Sequence, residues 1–217
     1  MNNTALNDLD GAAVDRAYQL WAPVYDVVCG GIFEQARRSA AEAARSVGGR
    51  ILEIGIGTGL SLDHYKDAGV QLHGIDLCAK MLAKAREKSR SGRYPHLKQL
   101  EVMDAHKLIY PDSYFDCTVA QFVITLVARP EQVLSECARV VRPGGEIILV
   151  NHFYSEQGFA AAVERIAARP LRKVGLRPEF PLARLEQWAE EDGRTKLIDT
   201  RKVGLLGSYT LVRFRRV

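Results

Sequence analysis

The chain of 217 residues predicts a single α/β domain. The expected architecture is a mostly parallel seven-stranded sheet with an antiparallel last strand, helices on both faces, and a helical lid at the N-terminus. Three observations predict it. Short apolar runs alternate with segments of helical period, the pattern of a parallel sheet covered on both sides. The first such run, Arg50–Ile54, passes straight into the glycine cluster Gly55, Gly57 and Gly59. The last two strand-like runs are joined only by the turn 204–207, too short for a parallel crossover, so they pair antiparallel.

The elements follow in order. Val14, Tyr18, Trp21, Tyr25 and Val28 recur at helical steps, with Pro23 breaking or kinking that helix. An Ala-rich second helix is expected over about 33–46, ending before Gly48-Gly49. Residues 1–48 therefore read as a lid or membrane-contact segment and 49–217 as the core of one domain. Strand 50–54 leads to a helix over about 60–67, strand 71–75 ends at Asp76, and a helix covers about 79–89. The third strand, about 97–103, ends at Asp104; the fourth spans 115–123. A helix over 131–141, the turn Pro143-Gly144-Gly145, the strand 146–150 and a helix over 156–168 come next. Strands over about 196–203 and 209–215 close the sheet.

Composition narrows the function classes. Hydrophobic residues make up 47% of the chain, which excludes a disordered one. No apolar run is long enough to span a bilayer, and the polar N-terminus lacks the basic and apolar regions of a signal peptide, so a cytoplasmic protein is expected. Cys29, Cys78, Cys117 and Cys137 form no CxxC pair and read as reduced, mostly buried thiols, with no metal site. The net charge of +4 is too mild to call for nucleic acid, and a monomer is expected. Two basic clusters stand out: Arg165, Arg169, Arg172, Lys173 and Arg177, and then Arg213, Arg215 and Arg216. They suit an anionic surface or, equally, an ordinary solvated face.

The chemistry sits at strand ends. In Glu53-Ile54-Gly55-Ile56-Gly57-Thr58-Gly59 the glycines let the backbone turn tightly and let a ligand approach where no Cβ intervenes. The spacing is G-x-G-x-G, with Leu60 where the dinucleotide fingerprint places its third glycine. A carboxylate at Glu53 would repel a pyrophosphate and suit the amino group of a methionine moiety, which favours S-adenosylmethionine (SAM) over a nicotinamide dinucleotide. Asp76 falls 21 residues past Gly55, where an acid hydrogen-bonds ribose hydroxyls; Asp also favours helix N-caps, so both roles stay open. Asp104-Ala105 ends the third strand on the same edge and can meet the adenine amino group. Gln121-Phe122-Val123 ends the fourth, facing the transferred methyl, and lacks the Asn/Asp-Pro-Pro-aromatic tetrapeptide expected of a methyltransferase acting on nucleic-acid amino groups.

These residues resemble the class I SAM-dependent methyltransferases over about 50–151, which implies a Rossmann-like fold and SAM as cofactor. Phe115-Asp116 and the run Arg139-Val-Val-Arg-Pro-Gly-Gly145 look like the ubiquinone/menaquinone C-methyltransferases. The flanks resemble the soluble bacterial phosphatidylethanolamine N-methyltransferases: Tyr18-Gln-Leu-Trp21-Ala-Pro23-Val-Tyr25-Asp26, Asn151-His152-Phe153 with Glu156 and Gly158, Leu176-Arg177-Pro178-Glu179-Phe180-Pro181, and Trp188. That resemblance implies stepwise methylation of a phospholipid amine at an anionic membrane surface, by a protein peripheral to the inner face of the cell membrane. A C- or O-methyltransferase of a quinone precursor or other small molecule is the alternative, and a non-catalytic SAM-binding module is another. The implied cofactor set is Tyr25, Glu53, Gly55, Gly57, Gly59, Asp76, Leu77, Met81, Asp104, Ala105, Gln121 and Phe122. Tyr18 and Tyr25 are expected near the reacting centre, where their rings meet methylated cations, with His152 taking a proton, touching the lipid phosphate, or serving only as a loop histidine. Tyr18, Trp21, His152, Lys173, Tyr209 and Arg213 form the expected substrate set. The N-terminal aromatic stripe reads either as a lid packed on the sheet edge or as an interfacial membrane helix.

Overall fold

The computed structural model describes residues 31, 33–66, 68–90, 92–153 and 180–217. The stripe around Tyr18, Trp21 and Tyr25, Cys29, the helix expected over 156–168, and Lys173 with its neighbouring arginines lie outside the described residues. The elements are α1 (Glu34–Val47), β1 (Arg50–Ile54), a 3₁₀ turn (Leu62–Tyr65), β2 (Gln71–Asp76), α2 (Ala79–Ser89), β3 (Leu97–Val102), β4 (Phe115–Gln121), α3 (Pro130–Val140), β5 (Val141–Asn151), α4 (Ala183–Asp192), β6 (Thr195–Val203) and β7 (Tyr209–Arg216). A second 3₁₀ turn, Leu205–Gly207, joins β6 to β7.

The seven strands form one sheet in the order β3-β2-β1-β4-β5-β7-β6. The pairs among β1 to β5 are parallel, and β7 lies antiparallel between β5 and β6. From β1 the chain winds outward one way to β2 and β3, then returns to lay β4 and β5 on the other side. The order therefore reverses between β1 and β4, and a crevice opens there beyond the strand C-termini, where open α/β sheets bind ligands.

Strand alternation sorts the side chains into two cores. Leu52 and Ile54, Ile147 and Leu149, and Val212 and Phe214 face one side, against Val133, Leu134 and Cys137 of α3 and Leu185 and Trp188 of α4. Ile51, Cys117, Val119, Ile148, Val150 and Leu211 face the other, against Leu62, Tyr65 and α1. By the same parity Glu53 and Gln121 point to the α1 side. Helix α1 presents the buried alanines Ala36, Ala40, Ala41, Ala43 and Ala44, whose small side chains let it lie close on β4 and β5. It is thus part of the core, on the N-terminal side of the division the sequence suggested at residue 48.

Two elements differ from expectation. The helix expected over 60–67 is a single 3₁₀ turn, in which the His64 N–H donates to Ser61 three residues back rather than four. Strand β5 starts earlier than expected: Val141 already pairs with Phe115, and the ladder resumes at Glu146 opposite Cys117 after an irregularity around Pro143-Gly144-Gly145.

Candidate active site

The turn after β1 forms one wall of a cavity of about 330 Å³ at the switch point. Gly55 has φ +69, and a Cβ there would stand 2.3 Å from Val123 Cγ2, so neither the conformation nor the space admits a side chain. Gly57, at φ +58, brings its backbone to the cavity. Its N–H donates to Asp76 Oδ2 at 2.9 Å, and the Cys78 N–H donates to Asp76 Oδ1 at 2.8 Å. Asp76 thus pins the glycine turn to the start of α2, whose N-cap is Cys78 itself. Each carboxylate oxygen keeps acceptor capacity after one such bond, so Asp76 can still receive hydroxyls from the cavity it lines.

Leu77, Met81, Asp104, Ala105, Gln121 and Phe122 also line the cavity. Among the described residues, the expected cofactor residues that do not reach its wall are Gly59, folded against Leu62 and Ala85, and Glu53. Glu53 is 2% exposed and lies behind the turn, where Gln121 Nε2 donates to its Oε1 at 3.2 Å. The buried Ser61 and Tyr65 hydroxyls lie near this carboxylate without forming a well-aligned hydrogen bond to its other oxygen. Burial pushes the Glu53 carboxyl up to about 7, against the opposing pull of Ser61, Tyr65 and Arg37. A buried acid one side chain from the cavity suits a cationic ligand.

Asp104 is organised by a residue the sequence reading passed over. The backbone N–H and Nδ1 of His106 both lie on Asp104 Oδ1, at 2.9 and 2.7 Å. Burial alone would raise the Asp104 carboxyl; the His106 bonds and nearby Arg129 outweigh it and hold the group below the usual range. His106 Nε2 accepts from the Arg129 N–H at 3.4 Å, and the His106 carbonyl accepts from Gln132 Nε2 at 2.9 Å. Nδ1 therefore carries the proton and donates to Asp104. The β3 end is tied in this way to the start of α3. The Asp104-x-His106 spacing was a readable turn signal, whereas the arrival of Arg129 at the cavity depends on tertiary packing.

Beside the cavity stands an aromatic trio. Phe122 holds φ 60, a conformation uncommon for such a residue and worth noting at a ligand-facing position. Its ring centroid lies 4.7 Å from Phe33 and 5.4 Å from Tyr209, with Phe33 and Tyr209 5.5 Å apart. His152 follows β5, its ring 6.4 Å from Tyr209 and its Nδ1 2.8 Å from the Ser208 carbonyl. That acceptor fixes the proton on Nδ1 and leaves Nε2 as the acceptor nitrogen of the neutral ring.

Arg213 stands apart from this group. Its guanidinium donates twice to Glu146 Oε2, at 2.9 and 2.7 Å, while Arg215 donates to Oε1 at 3.0 Å. Arg216 bonds Ser113 and the carbonyls of Arg139 and Val141. All three anchor the strand-start half of the sheet, because β7 runs antiparallel and carries its last residues away from the crevice.

A glycine turn, strand-end acids on neighbouring strands and a buried carboxylate at one crevice of a seven-stranded sheet define a SAM-dependent methyltransferase. Residues 52–149 match the methyltransferase domain family. A phosphatidylethanolamine N-methyltransferase of Cereibacter sphaeroides is 41% identical over 94% of this chain and 98% of its own length. A ubiquinone/menaquinone biosynthesis C-methyltransferase of Geobacter sulfurreducens is 31% identical over 60% of this chain and 54% of its own. Among solved structures, a SAM-dependent methyltransferase of Thermotoga maritima, described as a possible histamine N-methyltransferase, superposes with a TM-score of 0.68 at 19% identity, covering 94% of this chain and 100% of its own. This chain belongs to the phosphatidylethanolamine N-methyltransferase family.

Proposed function

We propose that the enzyme transfers methyl groups stepwise from SAM to the headgroup amine of phosphatidylethanolamine, making phosphatidylcholine, while docked from the cytoplasm on an anionic membrane surface. The observation that carries this reading is a 41% identity running the length of both chains, past the shared methyltransferase core. Among the described residues no helix is long and apolar enough to cross a membrane, which fits docking rather than spanning.

The residues fit the cofactor. Asp76 would hold the ribose hydroxyls, Asp104 and Ala105 the adenine edge, and Leu77 and Met81 its face. The Gly55–Gly59 turn would receive the methionine portion, with Glu53 reached through Gln121. When bound, SAM supplies an electrophilic methyl on a positive sulfur, so no acid is needed for the leaving group. The protein's task is then placement, for which alignment is worth roughly 7–11 kcal/mol. The amine must be neutral to attack, and His152, with Nδ1–H held by the Ser208 carbonyl, offers Nε2 to take its proton. Methylated amines keep a positive charge that water can no longer hydrogen-bond fully. The Phe33, Phe122 and Tyr209 rings give such a cation aromatic faces to rest on.

The test is methyl transfer from labelled SAM to phosphatidylethanolamine vesicles with and without anionic lipid, products being separated by headgroup. Mono-, di- and trimethylated lipids are expected in turn. No lipid product from protein that binds SAM would sink the reading in favour of a quinone-like small molecule.

A further inference from the structure

We propose that the tip of the β6–β7 hairpin, Gly204-Leu205-Leu206-Gly207, is a wedge that inserts into a bilayer containing anionic lipid and seats the methyl-transfer edge of the sheet upon it. The proposal rests on the reading that the substrate is a bilayer lipid. Leu205 is 68% exposed and Leu206 97%, the most exposed large apolar side chain among the described residues. Isolated exposed leucines are ordinary, but two in succession at a projecting turn are not.

The backbone holds them outward against its own preference. Leu206 has φ 53 and ψ 23, the left-handed region that a leucine rarely adopts, between Gly204 at φ 78 and Gly207 at φ 70. Strain of this kind persists where the surroundings impose it and points to a use. Part of the turn's polar backbone is also satisfied internally. The Gly207 N–H donates to the Gly204 carbonyl, and the Ser208 N–H and hydroxyl both donate to the Leu205 carbonyl. Each bond made within the turn lowers its cost of leaving water.

Position and charge name the occupant. Strand β6 runs parallel to β1–β5, so its end falls on the same edge as the glycine turn. Tyr209, the first residue of β7, touches Phe122, which lines the cavity. The segment 200–210 carries Arg201 and Lys202 and no acid, and both cations are exposed. Asp199, the nearest acid before it on β6, pairs with Arg201 at 3.7 Å. An apolar tip with a cationic collar, on the edge of the sheet that carries the cavity, suits an anionic interface.

The experiment uses the full chain and vesicles of phosphatidylethanolamine with phosphatidylglycerol. In Leu206→Trp, fluorescence from the added indole is expected to shift blue on vesicle binding and to be quenched by brominated acyl chains, beyond the quenching of the parent. The double variant Leu205→Ser/Leu206→Asn is expected to lower vesicle partitioning by about a hundred-fold, about ten-fold per leucine. Asn accepts the left-handed conformation, so the hairpin should keep its fold and the parent melting temperature. Vesicle binding by the parent without added quenching at position 206, unchanged partitioning of the double variant, or no vesicle binding at all would each overturn the proposal. So would a blue shift that grows with protein concentration in the absence of lipid, which would mark a second copy as the occupant. Methylation of dispersed short-chain phosphatidylethanolamine is measured alongside. Its absence would count against the lipid substrate, while the quenching result judges the wedge.

Discussion

Burial sets the chemistry of Glu53. Its carboxyl titrates near 7 rather than 4.5 in the folded chain. Between those values the folded state binds a proton that the unfolded state has lost, so stability falls as pH rises through this window. The loss is roughly 3 kcal/mol when complete, at about 1.4 kcal/mol per unit. Glu53→Gln keeps the shape and the bond to Gln121 while removing the titration. Without cofactor, the variant should melt several degrees above the parent at about pH 8 and level with it at about pH 5, as calorimetry would show. Equal melting at both values would mean that the carboxylate is solvated after all. The place of Glu53 beside a glycine turn was readable from adjacent letters. Its bond to Gln121 was not, because a contact between residues 53 and 121 exists only once β4 lies against β1. Arg213 makes the same point in reverse. Arg213 was expected in the substrate set, and an antiparallel strand turned it toward Glu146.

Among the elements, the pair β5 and β7 depends on that acid. Glu146 has a side chain only 5% exposed, and two guanidinium groups converge on it. Glu146→Gln leaves both cations facing a neutral amide at a partly buried site. A cost of about 2–4 kcal/mol is expected, visible as a lower midpoint in urea, with SAM affinity unchanged because the pair lies at the far end of the strand from the cavity. A matching loss of SAM binding would show that the two ends are coupled. The antiparallel pairing of the last two strands followed from the short turn between them. Their place in the sheet did not follow, since nothing local says that β7 will slip between β5 and β6. The 3₁₀ turn at Leu62–Tyr65 was similarly opaque: its apolar residues fit a helix, and the tightening comes from packing Leu62 and Tyr65 beneath the sheet.

At the scale of the whole molecule, charge works by distribution rather than sum. The net +4 is small, yet Arg201 and Lys202 stand on the edge that holds the cavity. If the enzyme docks by that edge, raising salt to about 0.5 M should weaken vesicle binding and slow methylation of vesicle lipid. Turnover of a dispersed short-chain substrate should hold steady, and sedimentation with parallel product counts would check it. Equal salt sensitivity for both substrates would place the effect in the site instead. The alternation of strands and helices made the architecture legible, because each face of a parallel sheet must be covered. The aromatic trio of Phe33, Phe122 and Tyr209 was not, since its members come from three distant stretches of chain.

The place of β7 has a consequence for how the protein is made. It is the last of the seven strands to leave the ribosome, yet it occupies an interior position. Until it arrives, β5 shows the nascent chain's surroundings a bare edge of Ile147, Ile148, Leu149 and Val150, and β6 has no strand to pair with. Unpaired apolar edges invite pairing with other chains. A message truncated before Tyr209 would therefore yield a product that aggregates rather than a slightly shortened enzyme, and for this fold the final strand acts as the closing step of biogenesis.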